Sequence, residues 1–392
     1  MKKMINPRRH YAWGSKDALA KLFHLPEAND EPVAEIWMGA HPQCSSYIRD
    51  EQGEKRSLRT WLAEDPEGRL GSEVARRFAG LPFLFKVLCA DKPLSLQAHP
   101  DKRTAERGFR QENAAGLPPD APERNYRDAN HKPELLFALT SFKAINGFRQ
   151  PEEIASLLRP VADIHPEAAA FSQRPDISHL PILSAALLGL TGEAQRQALR
   201  KLLTALEGRS GEPWESIRSL ARLWPDDNGL FSPLLMNLVT MRPGEAMFLP
   251  AGTPHAYLRG AALEVMANSD NVLRAGLTAK HIDLNELLAS LRFEPVAANR
   301  LLLTPARQGN ELKFSVPVDD FAFSIHFLTP EPQLLRLESA TIFFCIEGEG
   351  VLQNGNGQLR LRPGESCFIA ADEPAITLCG RGRLARAGSA IA

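Results

Sequence analysis

The spacing of apolar residues divides the chain into three stretches. Over the first 150 residues, short apolar runs are cut by Gly, Pro and Asp turns, the texture of short strands. Phe83 to Cys89 reads as a strand whose Leu84, Lys86 and Leu88 share one partly polar face, and Ser95 to His99 reads as another. Thr104 to Glu112 predicts a surface helix, and the Pro-rich Leu117 to Pro122 a loop. From Pro151 to about Leu230 the period lengthens. Leu199, Leu202, Leu203 and Leu206 fall at i, i+3, i+4 and i+7, one stripe of a helix, and Gly208 stands where a helix end favours a left-handed residue. Glu152 to Leu158 and Trp214 to Leu223 carry the same texture. Strand character returns at Leu234 and holds to the end. There Phe321, Phe323, Ile325 and Phe327 alternate onto one face, and Asn354-Gly355-Asn356-Gly357 is a hairpin turn by composition.

Two stretches within the β regions repeat each other. Met241-Arg242-Pro243-Gly244-Glu245-Ala246-Met247-Phe248-Leu249-Pro250 aligns with Leu361-Arg362-Pro363-Gly364-Glu365-Ser366-Cys367-Phe368-Ile369-Ala370. Both run on through a proline into an apolar strand, at Ala256-Tyr257-Leu258 and at Ala375-Ile376-Thr377-Leu378, the second copy one residue out of step. Arg-Pro-Gly-Glu before a short apolar run is a turn into a buried strand, so two copies predict two related β units. In the first copy Gly244, Pro250, Gly252 and His255 stand at the spacing of the second motif of the cupin superfamily, small jelly-roll barrels. The expected fold is therefore mainly β: two cupin-like jelly-roll β-barrels with an inserted α-helical domain. Residues 1–150 with 233–285 are expected to form the catalytic barrel, 151–232 the helical insert, and 286–392 a C-terminal barrel without metal.

Composition narrows the function. A chain of 392 residues is long enough for two or three domains. Its 46 basic and 47 acidic side chains leave a net charge of -1, which argues against a polyanion partner such as nucleic acid. A small anion stays open, because a pocket needs only a few cations. Cys44, Cys89, Cys345, Cys367 and Cys379 are scattered and odd in number, as for free thiols in a reducing compartment. No apolar stretch follows the charged start Met1 to Arg9, so no signal peptide is expected. The longest apolar run, near Leu180 to Leu190, contains Pro181 and Gly189 and is too short to span a bilayer. A cytoplasmic monomer or weak homo-oligomer, bound to no membrane, is expected.

The candidate chemistry converges from three places. Gln97 and His99 are two apart, so on a strand both point to the same side. In Tyr126-Arg127-Asp128-Ala129-Asn130-His131-Lys132-Pro133-Glu134, eight of nine residues are polar or proline, a run with no evident core role. With His255 from the cupin turn, Gln97, His99 and Glu134 give two imidazoles, a carboxylate and an amide oxygen. That mixed set suits zinc, with manganese or iron as competitors. Any single histidine is more often a surface or core residue; four groups from such elements argue for a site.

These residues and their neighbours resemble the type I mannose-6-phosphate isomerases over nearly the whole chain. The resemblance is most specific in Gln97-Ala98-His99-Pro100-Asp101-Lys102, in Asn130-His131-Lys132-Pro133-Glu134, and from Pro250 to Asp283. That last stretch holds Gly252-Thr253-Pro254-His255-Ala256-Tyr257, Glu264-Val265-Met266-Ala267-Asn268-Ser269-Asp270-Asn271, Arg274-Ala275-Gly276-Leu277-Thr278 and Lys280. Tyr11-Ala12-Trp13-Gly14 and Glu35-Ile36-Trp37-Met38-Gly39 are similar to the family's N-terminal segments. The resemblance implies one zinc ion per chain held by Gln97, His99, Glu134 and His255, an active-site arginine at Arg274, and a sugar phosphate as substrate.

An aldose–ketose isomerase must move a proton between neighbouring carbons through an enediol(ate). His131, Lys132 and Asp270 are candidates for that transfer, with Lys86 in support. Lys132 serves equally well as a phosphate ligand, and Asp270 as an orienter of Arg274 or a turn residue. Two rivals are a non-catalytic sugar-phosphate-binding cupin and a redox-metal oxygenase. The reactive set around Lys132 and Arg274 argues against the first; metal content with oxygen uptake separates the second. In the second repeat Pro250, Gly252 and His255 are replaced by Ala370, Asp372 and Ala375, hence the expectation of no metal there. His326 is expected to point out of that barrel if Phe321, Phe323, Ile325 and Phe327 fill it.

Overall fold

The computed structural model describes residues 1–25, 31–50, 52–373 and 375–391. Two large antiparallel sheets, of ten and eleven strands, stand face to face, with the helices of the 151–231 stretch packed on the first. In the first sheet the long strand His255–Ala267 pairs with Phe83–Ala90, Glu134–Ala138, Phe142–Phe148 and the short Leu96–Ala98. In the second, Ala375–Gly388 pairs with Ala322–Leu328 and Thr341–Asn354. Among the described residues neither ladder closes into a ring.

The sequence repeat is a structural repeat down to its hydrogen bonds. Glu245 N donates to Arg242 O at 3.0 Å and Gly244 N to Ala138 O at 2.9 Å; Glu365 N donates to Arg362 O and Gly364 N to Cys345 O, both at 2.9 Å. Gly244 and Gly364 have φ of 91° and 82°, the left-handed region that the turn requires and glycine enters freely. The turns deliver the strands Ala246–Leu249 and Ser366–Ile369. Register extends the equivalence beyond the motif. Glu134 faces Leu249 as Thr341 faces Ile369, and Phe85 faces Val265 as Phe323 faces Ala387.

Those equivalent strands pack the two sheets together. Phe85 and Phe323 meet with ring centroids 6.1 Å apart; Phe85 also meets Phe344 at 6.3 Å, and Phe137 meets Phe323 at 5.6 Å. Phe314, Phe321, Phe323 and Ile325 are therefore buried between the sheets, not inside the second one. The condition set for His326 fails for that reason. Its side chain turns to the opposite face, into the second sheet's own interior, where it is buried against Phe343 at 5.8 Å. Cys345 and Cys367 lie in the same interior cluster, and burial pushes both thiols up to about 12, as for inert packing.

Several segments cross the expected domain boundaries. Lys2–Ile5 pairs with Ser366–Ile369 and with Tyr47–Arg49, so the chain's start extends the C-terminal sheet. The boundary at 285/286 falls inside a helix, Leu284–Ser290, capped by Asp283. Beyond it Val296 N donates to Phe148 O at 2.9 Å and Leu303 N to Ala246 O at 2.8 Å, so the chain follows the first sheet as far as Leu303. Such long-range pairings leave no local signature in the sequence.

The helical stretch includes Pro151–Leu158, Pro166–Gln173, Leu180–Leu188, Gly192–Ala205 and Trp214–Ala221. Leu199, Leu202 and Leu206 are buried as the stripe predicts, and Gly208 has φ 73°. The helices share a core with Leu96, Ala98, Leu273 and Ala275. This packing back-supports two short strands, Leu96–Ala98 and Leu273–Gly276, whose alternate residues Gln97 and Arg274 face the other way. Asp227 fixes the chain just after Arg274, accepting from Leu277 N at 2.8 Å and Thr278 N at 3.2 Å.

Candidate metal centre and active site

Backbone register brings the expected ligands together. Gln97 pairs across from both His255 and Arg274, and Glu134 begins the next strand of the same sheet. His99 Nε2 lies 3.3 Å from Glu134 Oε1 and His255 Nε2 lies 3.4 Å from Glu134 Oε2. All three side chains are buried, and their ligand atoms lie within 4.8 Å of one another.

The imidazoles are pre-set as ligands. His99 Nδ1 is 2.7 Å from the Asn271 carbonyl oxygen, and His255 Nδ1 is 2.9 Å from that of Thr253. A carbonyl only accepts, so each ring donates through Nδ1 and turns its Nε2 to the centre, where it is placed to bind a cation. His99 Nε2 is buried without a hydrogen-bond partner among the described residues, an orphan that a cation would satisfy. Burial, reinforced by Lys132, holds this imidazole down to about 4, so it is neutral near pH 7. For Glu134, burial works to raise the pKa, but Lys132 and His99 outweigh it and hold the carboxyl well below its ordinary value. Gln97 places its amide 3.5 Å from His255 Nε2; a half-turn of that amide exchanges nitrogen for oxygen. Two imidazoles, a carboxylate and an amide oxygen fit a zinc-type cation.

Behind the centre lies a buried network that the sequence reading captured only in part. Tyr257 Oη is 3.1 Å from Glu134 Oε2 and 2.9 Å from Glu264 Oε1, and Lys86 Nζ is 3.1 Å from Glu264 Oε2 and 3.4 Å from Glu35 Oε1. Burial would lower the Lys86 pKa, but Glu35, Glu264 and Glu134 overcome it and raise it above its usual value. Lys86 is thus a fixed cation, not a proton acceptor. Lys132 stands at the centre itself, its Nζ 3.2 Å from Glu134 Oε1.

Asp270 is not placed against Arg274. It accepts from Gln43 Nε2 at 2.8 Å and lies 3.5 Å from His41 Nε2, a buried histidine that the sequence reading missed. His41 follows the Glu35 to Gly39 segment and packs edge-on against Trp37 at 4.9 Å. His131 is turned away from the centre. His131 Nε2 meets Asp320 Oδ2 at 2.9 Å, so in the structure its ring contacts the C-terminal region. Asp320→Asn should then lower stability by about 1–2 kcal/mol in denaturant unfolding while turnover stays within a few-fold of wild type. A collapse of turnover with unchanged stability would restore His131 to the chemistry.

On the other side of Gln97 a cavity of about 370 Å³ opens, lined among others by Trp13, Ser95, Trp224, Arg274 and Lys280. Burial, then the nearby Arg127, lowers the Arg274 pKa; burial, then Arg274 and Arg127, lowers that of Lys280. These cations repel one another and have no carboxylate partner among the described residues, a setting that suits an oxyanion. Lys280 had no assigned role; its signal is its place just past the Gly276 turn from Arg274.

Three family models match the chain: the phosphomannose isomerase type I catalytic domain over residues 1–151, the helical insertion domain of the same type over 157–236, and the mannose-6-phosphate isomerase cupin domain over 310–388. The mannose-6-phosphate isomerase of Escherichia coli K12 is 56% identical over 386 residues, covering 98% of this chain and 99% of the relative. A mutant of phosphomannose isomerase from Salmonella typhimurium superposes with a TM-score of 0.98 at 54% identity, covering 100% of both chains. A zinc-bound mannose 6-phosphate isomerase gives 0.96 at 55% identity over 99% of each.

Proposed function

The chain belongs to the type I phosphomannose isomerases, and from that premise we propose how its residues divide the reaction among them. It interconverts D-mannose 6-phosphate and D-fructose 6-phosphate through an enediol(ate), with zinc as its metal. Zinc bound here supplies Lewis-acid polarisation of the sugar oxygens. The observation that carries the assignment is the convergence of His99, Glu134 and His255 beside a cavity whose far wall is cationic.

Gln97, His99, Glu134 and His255 hold the metal. Arg274 and Lys280 take the negative charge of the open-chain sugar phosphate and orient it along the cavity. Lys132, next to the metal carboxylate, moves the proton between the two carbons, and Asp270, oriented by His41 and Gln43, is the second exchange group. Lys86, Glu264 and Tyr257 fix Glu134 from behind. The division of labour follows the expected partition: residues 1–150 with 233–285 catalytic, 151–232 a support for the Gln97 and Arg274 strands, and 286–392 a second unit, with that last boundary moved beyond Leu303. Each sheet is taken as one cupin-type jelly roll. All five thiols are free, which suits the cytoplasm.

The test is direct. Purified protein given mannose 6-phosphate should form fructose 6-phosphate, followed by a coupled assay for the ketose. No ketose from the zinc-loaded protein would overturn the reading.

A further inference from the structure

The strand that carries Arg274 ends at Gly276, yet Lys280, beyond that end, lines the same cavity as Arg274. The turn between them contains a conformation that side chains seldom adopt. Leu277 has φ of 54°, in the left-handed region, where the Cβ of an L-residue crowds the following carbonyl oxygen. A buried leucine keeps such a conformation only where its surroundings impose it.

Asp227 supplies that constraint. Its Oδ1 accepts from Leu277 N at 2.8 Å and its Oδ2 from Thr278 N at 3.2 Å, and Thr278 Oγ1 in turn accepts from Lys280 N at 3.1 Å. One carboxylate thus holds two consecutive amides of the turn, and the turn holds the backbone of Lys280. Asp227 is itself anchored in the helical stretch. Its Oδ1 also accepts from Gly229 N at 2.6 Å, and Asn228 Nδ2 donates to the Leu188 and Leu190 carbonyls at 2.9 and 2.8 Å. The seam between the two segments has no room for another atom. A Cβ on Gly276 would stand 2.7 Å from Asp227 Oδ1, and one on Gly229 would stand 2.8 Å from Leu277 Cγ. Arg274 has a second support, because its strand pairs with Gln97. Lys280 lies past the ladder and depends on the turn.

We propose that Asp227 is a positioning residue of the isomerase: it holds the Leu277 turn so that Lys280 meets the anionic end of the substrate beside Arg274. The helical stretch then takes part in substrate binding through a carboxylate that spends its oxygens on backbone amides and acts only through Lys280. This inference rests on the reading of Arg274 and Lys280 as the groups that take the substrate's charge.

The experiment is a double-mutant cycle on the zinc-loaded enzyme. KM for mannose 6-phosphate and the inhibition constant of inorganic phosphate are measured for wild type, Asp227→Ala, Lys280→Ala and the double variant. If the carboxylate only stabilised the fold, its effect and that of the lysine would be independent and would multiply. Each single substitution should instead raise both constants about tenfold, and the double variant should stay near tenfold rather than reach about a hundredfold. If Asp227→Ala does not fold, Asp227→Asn replaces it in the cycle. That variant keeps an oxygen for Leu277 N but sets an amide NH2 against Thr278 N, so it should give a smaller rise, lost in the Lys280→Ala background. A wild-type KM in Lys280→Ala overturns the reading of the cavity and this inference with it. With Lys280→Ala impaired, wild-type constants in the Asp227 variant, or effects that multiply in the double variant, overturn the inference alone.

Discussion

Dialysis against a chelator should abolish ketose formation, and added zinc should restore it. His99 and His255 donate their Nδ1 hydrogens to the backbone of Asn271 and Thr253, which turns both Nε2 atoms toward Glu134. Without the metal its Lewis-acid polarisation of the sugar oxygens is lost, and the barrier to proton transfer rises. Metal analysis beside the assay checks it; full activity in metal-free protein would sink the ligand assignment. Replacing His99 and His255 together by alanine should leave folded protein with essentially no zinc, and a retained stoichiometric zinc would reveal a second metal site. The stripped wild-type protein should also lose stability as pH falls from 6.5 toward about 4. The unfolded chain takes up a proton there that the buried His99 refuses, so the unfolded state gains.

Arg274→Ala should lower turnover about 10²–10³-fold while zinc content stays at wild-type level. The guanidinium faces the cavity and has no carboxylate partner among the described residues; Asp270 spends its oxygens on Gln43 and His41. Truncation therefore removes a charge that serves the substrate without breaking an ion pair of the fold. Parallel kcat and KM measurements separate its effects: loss in kcat marks charge development in the transition state, loss in KM alone marks phosphate binding. Turnover near wild type would make Arg274 structural.

The cluster of His99, Glu134 and His255, with Gln97 beside it, was legible because each sits in a compact local pattern: two-residue spacing in Gln97 and His99, a polar run ending in Glu134, a Gly-rich turn before His255. His131 was grouped with them on the polar run alone, and its 2.9 Å pairing with Asp320 joins residues far apart in sequence, which leaves no local signal. The network of Glu35, Lys86, Tyr257 and Glu264 escaped because its members are far apart in sequence and meet only through strand register. Alternation in Phe321 to Phe327 was read correctly, but it does not say which of a sheet's two faces meets a neighbouring sheet. His326 was inverted for that reason. Pairing of Lys2–Ile5 with Ser366–Ile369 spans almost the whole chain and has no local signal at all.

The phenylalanine contacts between the sheets have one more consequence. Phe85 and Phe137 touch the counterparts of each other, Phe344 and Phe323, and Phe85 touches its own counterpart. When one patch meets its own copy in this reciprocal way, the contact has two-fold, self-complementary geometry, the kind that usually joins two separate subunits. Here a single polypeptide supplies both halves, so the partner's effective concentration is set by a covalent tether and does not vary with protein concentration. The chain is in this sense a dimer closed upon itself. Dilution cannot part the two halves.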